Sequence, residues 1–225
     1  MRANIELTAS DGHRFGAYEA TPVGKPRGGL VVVQDIFGVN PHIRRVADGF
    51  AADGYRVIAP ALFDRAEPGV EIGYEPADVE RGRNLRQEIS LDEMLLDIAA
   101  CGVALAASGK VGLVGYCLGG SLAWLTATRL DGFAAAVGYY GGMVAGHLDE
   151  TPRIPMMLHF GEEDGGIPMA DVAKIGTAAD PRLVQVFTYA HAGHAFNRDG
   201  NKAWHEPSAK LARERTLAFL REHVG

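Results

Sequence analysis

The chain has 225 residues, 47% of them hydrophobic, and a net charge of −6. That suits one domain spanning 1–225 with a sizeable core, and the mild, scattered acidity argues against nucleic acid. Apolar runs are strand-sized, Met1–Glu6 holds no apolar signal region, and the two cysteines make no disulfide framework, so no membrane span and a reducing cytoplasm are expected.

Asn4–Thr8 and Arg14–Ala20 alternate like strands, with Asp11-Gly12 as the hairpin turn between them. After a Pro- and Gly-rich loop, Leu30–Val33 is a continuous apolar run, as in a strand covered on both faces. Asn40 can cap a helix that has Pro41 at its first position and Ile43, Val46 and Phe50 on one face. Tyr55–Ala59 is the next buried strand. Pro60–Pro76 reads as a long loop, a kind of connection that is often functional. Ala77–Glu88 is a polar helix carrying Arg81, Arg83 and Arg86, read in the first instance as a solvated face. Ser90–Glu93 is a capping box opening a helix with Leu91, Leu95, Ile98 and Leu105 inward. Cys101 on that helix is a small buried apolar side chain.

Lys110–Val114 is a short buried strand, and Ser121–Leu130 is a helix. Between them lies Gly115-Tyr116-Cys117-Leu118-Gly119-Gly120. Strand, Gly-x-Cys-x-Gly, helix is the nucleophile-elbow pattern with Cys in place of Ser. A side chain at Gly115 or Gly119 would strike the neighbouring strand or helix, and Cys117 is forced to the top of the sheet. The helix N-terminus beneath it favours a thiolate. A Gly-rich turn with an ordinary cysteine also accommodates the hexapeptide alone. Further strands are Phe133–Gly138, Met156–Phe160 and Leu183–Thr188. Helices run from Pro168 to Ala178 and from Pro207 to His223.

Alternating strands and helices argue an α/β protein, with a mainly parallel central sheet, helices on both faces and an antiparallel N-terminal hairpin. Ligands bind beyond the carboxyl ends of such strands. Four segments fall there: Gln34–Gly38, Gly115–Gly119, Gly161–Asp164 and Gly193–Arg198. Cys117, Asp164 and His194 follow in the order nucleophile, acid, histidine, which is the chain order of α/β-hydrolases. His194 is the expected base, and Asp164 its orienting group, favoured over Glu162 and Glu163. The N–H groups of Leu118 and Ile36 are the expected oxyanion donors. Losing one such donor costs roughly 3 kcal/mol of transition-state stabilisation. His191 and His194 lack a ligand cluster around them, and neither a metal nor a cofactor is expected. Tyr139 and Tyr140 end a strand at the active edge.

The sequence resembles the dienelactone hydrolase family over nearly its whole length. The matching segments are Asp11-Gly12, Gln34–Asn40, Gly112–Gly120, Val137–Gly141, Ala192–Phe196 and Glu214–Leu217. The resemblance implies an α/β-hydrolase fold and a carboxymethylenebutenolidase-type reaction. In that reaction a lactone opens through a Cys117 thioester, with maleylacetate as product, in the breakdown of chlorinated catechols. It also implies that an acid at the position of Asp35, usually Glu in the family, accepts the thiol proton when substrate arrives. A substrate carboxylate is implied too, held by Arg198 and by a second arginine. Arg81 is the candidate for the second, with Arg83 close behind, and Tyr139 is a further substrate-binding candidate. The expected partner is a small anionic lactone or ester, met by a monomer.

Two other classes compete. Glutaminase-type amidotransferases also use Gly-x-Cys-x-Gly, but they place a carboxylate two residues after the histidine, where this chain has Phe196. A hydrolase-fold protein that only binds a ligand or senses oxidants through Cys117 would form a stable sulfenate or mixed disulfide and turn over no ester.

Overall fold

The computed structural model describes residues 4–225. The reading of Met1–Glu6 as free of a signal segment therefore falls partly on residues 1–3, outside the described residues. Strands β1 (Ile5–Thr8) and β2 (Arg14–Ala20) pair antiparallel. Gly12 turns the hairpin at φ 88°, and the Asp11 carboxylate accepts the His13 N–H at 3.1 Å. Then come β3 (Gly29–Val33), β4 (Arg56–Pro60), β5 (Val111–Tyr116), β6 (Ala135–Tyr139), β7 (Met156–Gly161) and β8 (Val184–Tyr189). The eight strands make one sheet in the order β1-β2-β4-β3-β5-β6-β7-β8, parallel from β4 to β8.

Burial explains the strand sequences. Every residue of β3, β5, β6 and β7 is buried, which is why they read as unbroken apolar runs. Each fully buried valine of β3 contributes roughly 1.5–3 kcal/mol relative to an exposed one. The edge strands β1 and β8 are only partly covered.

Six α-helices connect and cover the sheet: α1 (Pro41–Ala52), α2 (Pro76–Glu88), α3 (Leu91–Leu105), α4 (Leu118–Arg129), α5 (Met169–Ala178) and α6 (Glu206–His223). The Asn40 side chain caps α1 through the His42 and Ile43 N–H groups, at 3.1 and 3.2 Å. Ser90 and Glu93 close both bonds of the capping box of α3. α3 packs on α4 over β3, β4 and β5, while α1 and α6 are joined by Arg213 and Asp53 at 2.6 Å.

Two stretches depart from the sequence reading. Pro60–Pro76 is no featureless loop. Leu62–Arg65 forms a 3₁₀ turn, Leu62, Phe63, Val70 and Ile72 are buried, and Glu71 pairs with Gly38 as an isolated bridge. Its apolar residues follow no helical or strand period, so no pattern announced this packing. The helix after the elbow begins at Leu118 rather than Ser121, so a single residue makes the whole turn.

Candidate active site

β5 ends at Tyr116 and α4 begins at Leu118, leaving Cys117 between them at φ 54°. Non-glycine residues rarely occupy that region, and strain of this kind concentrates at functional sites. The two glycines of the motif make it possible. A Cβ on Gly115 would overlap the Gly119 carbonyl oxygen, and one on Gly119 would overlap the Val33 carbonyl oxygen of β3. Backbone bonds from Cys117 N–H to the Tyr139 oxygen and from Gly119 N–H to the Gln34 oxygen, each 3.0 Å, tie the elbow to both neighbouring strand ends. Cys117 is half-buried and lines a cavity of about 210 Å³.

His194 lines the same cavity, carried by the loop after β8. Its Nδ1 lies 2.7 Å from Oδ2 of Asp164, which follows β7 and is buried. The other Asp164 oxygen accepts the Gly166 N–H at 2.8 Å, so the carboxylate is fixed at both ends. The competing acids are occupied elsewhere, Glu162 by the Thr188 hydroxyl at 2.8 Å and Glu163 by His191 at 3.2 Å. Burial disfavours the His194 imidazolium. Hydrogen bonding to Asp164 and to Cys117, with the charges of both, outweighs it and pushes His194 up to about 10. The ring of Tyr140 packs 4.9 Å from that of His194.

Leu118 and Ile36 also line the cavity. As the first residue of α4, Leu118 has an N–H with no acceptor inside the helix. Neither it nor the Ile36 N–H donates to another backbone oxygen among the described residues. Two free donors beside the sulfur form an arrangement able to hold an oxyanion.

Asp35 does not bond to the sulfur. One of its oxygens accepts the Phe37 N–H at 2.9 Å, and the other accepts Arg198 Nη2 at 2.7 Å. Both partners of this pair are buried. Burial raises Asp35 above the usual carboxylate range, against the opposing pull of Arg198 and the Phe37 N–H. The Arg198 guanidinium packs against both Phe37 and Tyr74, 5.0 and 4.5 Å from their ring centres, and its Nε has no partner among the described residues. Arg198 is thus next to the site, but it is already neutralised and is not in the wall around Cys117.

Two expected substrate contacts lie elsewhere. Arg81 is exposed and pairs with Glu67 at 2.6 Å. Its neighbour Arg83 is exposed as well. The arginine in the cavity wall is Arg86. The reason is helical geometry. Gly82 of α2 packs so closely on the Ile36 carbonyl that a Cβ there would overlap it. Arg86, one turn later, shares that stripe, whereas Arg81 is rotated off it. Arg81 stands equally close to the buried Leu85, one turn on, so the sequence carries no signal that chooses between the two arginines. Tyr139 points away from the cavity, its hydroxyl 2.7 Å from Thr216 Oγ1 of α6. Successive side chains alternate across a strand, and Tyr140 is the one that meets His194.

Arg86 differs from Arg198 in having no acidic partner. Its Nη1 donates to the Ile89 carbonyl at 3.0 Å, its Nη2 reaches the Met143 sulfur at 3.9 Å, and burial alone lowers its pKa. Ser121 and Met143 complete the polar and soft parts of the wall. Among the described residues no cluster of three or more His, Cys, Asp or Glu could hold a metal, and no helix is long and apolar enough to cross a membrane.

The arrangement has recognisable relatives. The sequence model of the dienelactone hydrolase family matches residues 15–224. A carboxymethylenebutenolidase of Pseudomonas putida is 36% identical over 233 residues, covering 98% of this chain and 96% of its own. One from Pseudomonas knackmussii matches to the same extent. The crystal structure of a candidate dienelactone hydrolase from Klebsiella pneumoniae superposes with a TM-score of 0.84 at 28% identity, covering 97% of this chain and 98% of that one. The chain, an α/β-hydrolase fold with an intact elbow, belongs to the dienelactone hydrolase family and is a hydrolase of that type.

Proposed function

We propose that the protein opens a small anionic lactone, dienelactone (4-carboxymethylenebut-2-en-4-olide) in the first instance, to maleylacetate through a thioester on Cys117. The observation that carries this is the 2.7 Å contact between His194 and Asp164 in the cavity that Cys117 lines. The relatives named as carboxymethylenebutenolidases supply the substrate class.

His194 takes the thiol proton as the sulfur attacks the lactone carbonyl carbon, and Asp164 stabilises the imidazolium that results. The carbonyl oxygen, now negative, accepts from the Leu118 and Ile36 N–H groups. Collapse of the tetrahedral species breaks the ring C–O bond, and His194 returns its proton to the departing oxygen. Water then attacks the thioester with His194 as base, and the thiolate leaves and is reprotonated. Every group needed is on the chain.

Charge recognition falls first to Arg86. It is a half-buried cation with no carboxylate to give up, so a substrate carboxylate gains a charge-assisted bond at no cost in ion pairing. Arg198 can join only by exchanging Asp35. Leaving a buried partner unpaired costs about 3–5 kcal/mol. Such an exchange would free the Asp35 carboxylate as a second acceptor for the thiol proton. The side chain is one methylene shorter than the family's usual Glu, and at rest it faces Arg198.

Replacement of Cys117 by Ala tests the proposal directly. Hydrolysis of dienelactone and of activated short-chain esters should vanish while the fold, read by circular dichroism and thermal melting, stays intact. Unchanged turnover in that variant ends the proposal. Sustained sulfenate formation without turnover in the wild type would support the sensor reading instead.

A further inference from the structure

A second cavity, of about 530 Å³, lies between α1 and α6 and shares no lining residue with the one at Cys117. Its size is in the range of small-molecule sites. Two hydrogen-bond donors in its wall have no partner. Tyr116 is 2% exposed, and its hydroxyl bonds to no described residue. Arg213 Nη1 is likewise buried without a partner, while Nη2 holds Asp53 at 2.6 Å and the guanidinium lies over Phe50. Both side chains line this one cavity, and burial keeps the Tyr116 hydroxyl protonated.

The acids of the wall do not satisfy these donors. Asp199 is taken by His42 at 2.8 Å and by Arg45 at 3.1 Å, and Glu214 is exposed. The remaining surface is flat and largely apolar, formed by Tyr139, Val46 and the half-exposed Trp204. Two unpartnered donors in one wall, one of them cationic, fit a carboxylate. Aromatic walls fit a planar body.

We propose that this cavity binds a small planar organic anion, an aromatic or conjugated carboxylate, independently of the catalytic cavity. Its carboxylate accepts from the Tyr116 hydroxyl and Arg213 Nη1, and its ring lies against Tyr139, Val46 and Trp204.

The probe is benzoate, titrated calorimetrically into full-length protein whose Cys117 has been capped with iodoacetamide and checked by mass. Capping removes the nucleophile, and Tyr116 and Arg213 lie outside the catalytic cavity, so the result does not depend on the proposed reaction. One saturable site is expected. Tyr116→Phe and Arg213→Gln should each weaken it about 10-fold, the scale of one hydrogen bond to a charged group. Neutral benzamide should bind at least about 10-fold more weakly than benzoate. Tyr116→Phe removes one oxygen and keeps the packed ring, so it stays informative if Arg213→Gln fails to fold. Any of three results overturns the proposal: no saturable binding to capped protein, affinity unaltered by Tyr116→Phe in a folded variant, or equal affinity for benzamide.

Discussion

Arg86→Gln separates charge recognition from chemistry. Gln keeps a donor for the Ile89 carbonyl, which Arg86 holds at 3.0 Å, and removes the only guanidinium that the described residues place in the wall around Cys117. A hydrogen bond to a charged group is worth about 1.5–3 kcal/mol, which converts to about 10- to 150-fold in an equilibrium or rate constant. Arg86 is half-buried, so solvent screens part of this and the lower half of that range applies.

The expected loss is therefore about 10- to 30-fold in kcat/KM for an anionic lactone. A neutral ester of the same acid should change less than about threefold, because it makes no charged bond to lose. Arg86→Lys should recover part of the charge effect without the planar fork. The assay is steady-state kinetics on the matched anionic and neutral pair, with melting temperatures as a folding control. An equal loss on both substrates would place Arg86 in packing rather than recognition. Undiminished preference for the anion, paired with its loss in Arg198→Ala, would transfer the role to Arg198.

Asp35→Ala leaves the buried Arg198 with only Phe37 and Tyr74 around its charge, so urea unfolding should show a loss of about 2–4 kcal/mol. Adding Arg198→Met should recover most of it; a single variant as stable as wild type contradicts the buried-pair reading. His194 is raised from 6.5 to about 10, so its contribution to stability is fully present below the unfolded value and is lost as pH rises through the folded one. The melting-temperature gap between wild type and His194→Gln should therefore narrow from about pH 6.5 to about pH 10, and a gap that widens over this range refutes the assignment. Gly119→Ala drives a Cβ into the Val33 carbonyl, a backbone atom that cannot swing aside, and should cost about 1–3 kcal/mol together with most of the activity. A wild-type melting point and rate would show that the elbow tolerates a side chain there.

The elbow and the meeting of His194 with Asp164 could be read from the sequence because each rests on local rules. Gly115 and Gly119 are required by contacts within a few residues and one neighbouring strand. Cys117 and Asp164 follow fully buried strands, His194 follows the partly covered edge strand β8, and a parallel sheet brings its carboxyl ends to one rim. The α1 cap and the α3 capping box are likewise local, and both formed as expected.

The cavity wall follows a different logic: Arg81 and Tyr139 were expected there, and the structure holds Arg86 there instead. Arg81 and Arg86 sit on one polar helix, and composition cannot tell them apart. What separates them is which stripe of α2 meets the Ile36 loop, and this is decided by the glycine at 82. Arg86 lies four residues after Gly82 and Arg81 four before Leu85, so the two flank the buried stripe on opposite sides, and only the fold puts Arg86 in the cavity wall. Tyr139 and Tyr140 show the same dependence on a single step of the backbone. Strand alternation sends Tyr139 to Thr216, and the φ of 38° at Tyr140 turns that ring onto His194. A nucleophile is announced by the strained backbone it needs, and that strain leaves glycines behind. A recognition residue needs only to face the right way, which depends on packing between segments far apart in the chain. For this protein the elbow is therefore the firmer inference from sequence, and which arginine lines the cavity is the one that required the fold.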